Sequence, residues 1–102
     1  MKTETFIPLA FNTKLALDYA EKAEKEIEKL ENSKLSKKER VFSALDCIFY
    51  LKVVFYHLEV IREKYSGVLD EETNELLDKT FIKAFRDFEN AHNIVKNMVT
   101  QL

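Results

Sequence analysis

The chain has 102 residues, 46% of them hydrophobic and 33% charged, with a formal net charge of −2; this is the mix of one folded, soluble domain and not of a disordered tail. One Gly and one Pro leave little material for the tight turns of a β-rich fold. Interleaved lysines and glutamates provide no basic field, which argues against a nucleic-acid partner.

Pro8 fits a first helical turn, where its missing N–H costs nothing, so the first helix is expected over residues 9–32. Ala16, Ala20, Ala23, Ile27 and Leu30 recur at spacings of four and three, a narrow coiled-coil-like seam. The Glu/Lys run from Glu21 to Glu31 reads as a solvated face, with Asp18–Lys22 and Glu21–Lys25 in the favourable acid-first i,i+4 order.

Ser36-Lys37-Lys38-Glu39 is a capping box that starts the second helix, expected over residues 37–66. Gly67 is expected to end it in a left-handed conformation. The β-branched and aromatic run from Cys47 to Tyr56 also suits a strand, but helix start and stop signals bracket it and no partner strand is visible. The longest apolar stretch, Cys47 to Ile61, interrupted by Lys52, His57 and Glu59, reads as too short to span a bilayer.

Asp70 caps a third helix, expected over residues 71–100, with Glu71 and Glu72 favourably placed in its first turn. Leu77, Phe81, Ala84, Phe88, Ala91, Val95, Met98 and Leu102 form its apolar stripe, flanked by Phe85, His92 and Val99. The fold class is therefore all-α: three long antiparallel helices in an up-down-up bundle forming a single domain, since short loops force neighbouring helices to reverse.

At 100° per residue the second helix has two opposed apolar faces. Ala44, Cys47, Ile48, Leu51, Phe55 and Leu58 form one, and Phe42, Phe49, Val53 and Val60 form the other. A triangular three-helix bundle covers only one side of each helix. The second face predicts a homodimer, because a two-fold pairing lets one surface serve both partners. The competing cover is the N-terminal segment, with Phe6, Ile7, Leu9 and Phe11 folded back as a lid.

Chemistry is sparsely signalled. Arg86, Asp87 and His92 give Arg-Asp-x4-His, which resembles the Arg-x(4–6)-His motif of the HEPN family, small all-helical domains that often dimerise and whose ribonuclease members cut RNA. That resemblance covers seven residues and implies Arg86 as a phosphate holder and His92 as a proton carrier. It departs from the family in placing the pair in the middle of a long one-faced helix.

Glu89-x-x-His92 places a carboxylate and an imidazole at the spacing used by di-iron bundles, although such a site needs two of these motifs and further carboxylates. His57 reads as a boundary histidine near Tyr50 and Lys64. Cys47, the lone cysteine, reads as an inert packed thiol that excludes a disulfide framework. Lys34, Lys37, Lys38 and Arg40 cluster around the first loop. No cofactor is expected.

Without a secretory signal pattern, the expected location is the cytoplasm. The expected function is a non-enzymatic helical module that binds a protein partner, with no membrane role.

Overall fold

The computed structural model describes residues 3–32 and 34–100. Three α-helices pack against one another: α1 over Thr3–Leu30, α2 over Lys37–Tyr65 and α3 over Glu71–Thr100. No strand occurs among the described residues. The molecule is a rod of 53 × 20 × 19 Å with a radius of gyration of 15.9 Å, against about 13 Å for a compact domain of this length.

α1 begins earlier than the expected residue 9. Pro8 lies inside the helix, where it removes the N–H that would have reached the carbonyl of Glu4 and its ring crowds that carbonyl. The lid reading fails as a consequence. Phe6, Ile7, Leu9 and Phe11 belong to α1; of these only Leu9 is buried, and the other three are exposed. The C-terminal end also falls short of residue 32, at Leu30.

The alanine seam does what its spacing dictates. Ala16, Ala23 and Leu30 are buried, and Ala20 and Ile27 pack against the core. Small residues let α2 approach closely enough for the Cys47 thiol to meet the carbonyl of Ala23 at 3.7 Å. Glu26 departs from the solvated face, being 8% exposed and paired with Lys29 at 3.0 Å. Lys22 does not pair with Asp18, which takes Lys14 instead; the Lys22 ammonium lies 4.7 Å from the centre of the Tyr19 ring.

Ser36 caps α2, its hydroxyl accepting from the Glu39 N–H at 3.2 Å, and Asp70 caps α3 by accepting from the Thr73 N–H at 2.7 Å. Gly67 corrects the sequence reading. No described residue has a positive φ, so α2 does not end in a left-handed glycine; the chain leaves through a turn in which the Val68 N–H donates to the Tyr65 carbonyl at 3.0 Å.

Arg40, in the first turn of α2, has a structural role. Its guanidinium donates to the carbonyl of Leu30 at 2.9 Å, an acceptor that the end of α1 leaves open, and to that of Asn32 at 3.1 Å in the loop, which also accepts from the Leu35 N–H. Charge-assisted bonds of this kind are worth about 1.5–3 kcal/mol when shielded and less at a half-buried site. Arg40→Met is therefore expected to cost about 1 kcal/mol, read as a fall in melting temperature by circular dichroism. Lys37→Ala, which removes an exposed charge, is the matched control and should leave the melting temperature in place.

The core lies along α2. Ala44, Cys47, Leu51, Val54, Leu58 and Ile61 are its buried residues, facing Leu9, Ala16, Ala23 and Leu30 of α1 and Leu77, Ala84 and Ala91 of α3. Val54 and Ile61 join the expected inner face, while Ile48 and Phe55 are half-buried beside it. The α3 stripe follows its predicted spacing through Met98. The Val99 side chain and Leu102 lie outside the described residues.

Length alone does not separate α2 from a membrane span. It has 29 residues and an 18-residue window of mean hydropathy 1.5, apolar enough to cross a bilayer, so the expectation that the run is too short is corrected. Core packing accounts for part of that apolar character, since this helix packs most against both neighbours, but only 28% of the window is buried.

Candidate interaction surface

The outer face of α2 is the largest departure from an ordinary soluble bundle. Phe42 is 55% exposed and Phe49 60% exposed, whereas Val53 and Val60 on the same side are half-buried. Tyr56 and Leu45, absent from the face predicted by spacing, are exposed with them. Phe42, Phe49 and Tyr56 follow one another at intervals of seven, which keeps them nearly in line along a helix. Neighbours cover little of this stripe: Lys38 lies 5.6 Å over the Phe42 ring, and Tyr50 meets the edge of Phe49 at 5.9 Å.

The apolar surface of α3 is wider than its predicted stripe. Leu76, Ile82 and Phe85 are exposed, and Phe81 is partly so. The rings form a ladder: Phe55 of α2 lies 5.7 Å from Phe81 and 5.9 Å from Phe88, Phe81 stacks on Phe85 at 6.4 Å, and Phe88 stacks on His92 at 6.2 Å. Arg62 of α2 lies over Phe81 at 5.6 Å.

Arg86 and His92 are both exposed. Six positions at 100° each put them 120° apart around α3, so one chain does not present them on a common face. The His92 ring rests on Phe88 and is exposed. Glu89 and His92 share an open depression with Phe85, Phe88 and Asn93. No group of three or more His, Cys, Asp or Glu side chains among the described residues is placed to hold a metal.

His57 is half-buried and hydrogen-bonded, as a boundary histidine should be. Its Nδ1 lies 2.8 Å from Asn12 Oδ1, and Asn12 donates to the Pro8 carbonyl at 2.8 Å. With Nδ1 as the donor, this links α2 to the first turns of α1. Burial pushes the Cys47 thiol up to about 12, helped by the charges of Asp87, Glu26 and Glu24, so the thiolate needed for nucleophilic chemistry is suppressed.

A polar cluster joins α1 to α3. Lys83 pairs with Glu24 at 3.2 Å, and the other Glu24 oxygen is buried without a hydrogen-bond partner. Burial raises the Asp87 carboxyl to about 6; the hydrogen bond its protonated form gives Glu24 and the charge of Glu24 add to the rise, and Lys83 opposes it. This cluster is hidden in the sequence because Glu24 and Asp87 each look like members of a solvated helix face.

No protein-family model matches the chain, and neither a curated protein nor a solved structure is significantly similar to it.

Proposed function

We propose that this chain is a small non-enzymatic interaction module: an antiparallel, up-down-up bundle that acts by protein–protein binding and pairs with a second copy of itself in the cytoplasm. Support for the antiparallel course comes from the order of contacts between α1 and α2. Arg40 meets Leu30, Cys47 meets Ala23 and His57 meets Asn12, so rising numbers on one helix meet falling numbers on the other.

The observation that carries the binding role is the exposure of Phe42 and Phe49 with no N-terminal lid over them. Each ring left in water forgoes about 1.5–3 kcal/mol of burial. A second copy placing its own stripe there removes that cost on both sides at once.

Light scattering coupled to size-exclusion chromatography, in buffer without detergent, tests the reading. The native chain is expected to elute at twice its 12.0 kDa mass. Phe49→Glu should elute as a monomer with unchanged helix content. A native chain that remains monomeric at high concentration, or dissolves only in detergent, overturns the proposal.

A further inference from the structure

The three helices are not fastened equally. Hydrogen bonds through Arg40, Cys47 and His57 tie α2 to α1, and Phe55, set between Phe81 and Phe88, ties α2 to α3. α1 and α3 pack least against each other. Between them lies a cleft of about 250 Å³ that reaches Leu51 of α2, with Glu24 on one wall and Lys83 and Asp87 on the other.

The charges in this cleft do not balance. From α1, Asp87 meets Glu24 and, at the rim, exposed Glu21; its own helix supplies Lys83, and α2 supplies the Cys47 thiol, which burial keeps neutral. The Lys83 ammonium lies 3.2 Å from one Glu24 oxygen, and the other oxygen is buried without a partner. A proton on Asp87 removes one negative charge and lets that carboxyl donate to Glu24 across the seam. Without the proton, two half-buried carboxylates repel each other.

We propose that the Glu24–Asp87 pair is a proton-operated latch: protonated, it clasps α3 to α1, and deprotonated, it lets the α1–α3 seam open locally and admit water to Leu51 while the α1–α2 pair stays closed. The latch does not depend on whether the chain pairs with a second copy.

The Asp87 carboxyl sits at about 6 in the closed fold and returns to about 4 once the seam opens to water. The closed form therefore holds the extra proton, and opening becomes easier as pH rises through that interval. The difference corresponds to at most ~100-fold in the opening equilibrium, which solvent at the half-buried site reduces to about tenfold.

Thiol labelling by a pyridyl disulfide, which reacts even at acid pH, tests the latch at a series of low urea concentrations. Ala84→Cys places a thiol in the cleft, and native Cys47, buried where α2 meets α1, is the internal control. Each rate is divided by that of the same thiol in the urea-unfolded chain at the same pH. From pH 4 to pH 8 the normalised rate of the introduced thiol is expected to rise about tenfold. At pH 8 it should exceed that of Cys47 by at least ~tenfold and respond less to urea, since a local opening exposes little surface. Asp87→Asn, whose amide can donate to Glu24 at every pH, should abolish the rise, whereas Glu89→Gln should preserve it.

Equal normalised rates at the two thiols would mean that the seam opens only when the whole chain unfolds, which overturns the latch. A rate that does not change with pH, or a rise that survives in Asp87→Asn, overturns it as well. If Ala84→Cys loses helix content, Thr80→Cys, half-buried in the same cleft, decides by the same criteria.

Discussion

Leu51→Ala is expected to lower the free energy of unfolding by about 3 kcal/mol, within the range for emptying a well-packed leucine site. Leu51 is 1% exposed and among the largest fully buried side chains. It lies in the cleft between α1 and α3, lined by Ala20 and Glu24 on one side and Thr80, Lys83, Ala84 and Asp87 on the other. All three helices therefore meet at this side chain.

Alanines at Ala20 and Ala84 have no flexible bulk with which to refill the space, so the site collapses poorly. For a small domain with about 5–15 kcal/mol of total stability, the loss is large enough to read directly from the midpoint of a urea titration. An unchanged slope would show that the same surface unfolds. A loss below about 1 kcal/mol would mean that the helices close over the gap and that Leu51 is not their junction.

The fold is legible in the sequence because each helix carries its own punctuation. The Ser36 and Asp70 caps and the alanine spacing of α1 are local signals, written within one or two turns. The start of the first helix is not legible in the same way, because Pro8 looks like a boundary, whereas α1 runs through it despite the lost hydrogen bond and the crowded carbonyl. Gly67 misleads for a related reason: glycine permits a left-handed turn but does not require one.

The interaction surface is only half legible. Phe42 and Phe49 stand out because they oppose a core face on the same helix, and opposition within one helix is readable from spacing alone. Ile82 and Phe85 merge into the α3 stripe, because a wide apolar face looks the same in sequence whether a neighbour or solvent lies against it. Deciding between those cases requires knowing where α2 and α1 sit around α3. The same reason hides Glu24 and Asp87, which become neighbours only when two distant helix faces meet.

That hidden cluster yields the second large effect. Asp87→Asn is expected to stabilise the protein at neutral pH by about 1 kcal/mol, after discounting for the solvent that reaches a half-buried carboxyl. The sign follows from the direction of the shift. A carboxyl raised to about 6 in the fold titrates lower when unfolded, so between those values the native state holds the extra proton.

Stability from this group is therefore fully present below the unfolded pKa of about 4 and is lost as pH rises through about 6. Above that, the native chain must keep a second negative charge beside Glu24, with Lys83 alone opposing it. Asparagine removes the charge at every pH. In urea titrations the native and Asp87→Asn proteins should differ at pH 7 and converge near pH 4, while Glu89→Gln, altering an exposed carboxylate on the same helix, should show no such divergence. Asp87→Asn destabilising at pH 7 would mean that the charged carboxylate is held favourably, with Lys83 outweighing both burial and Glu24.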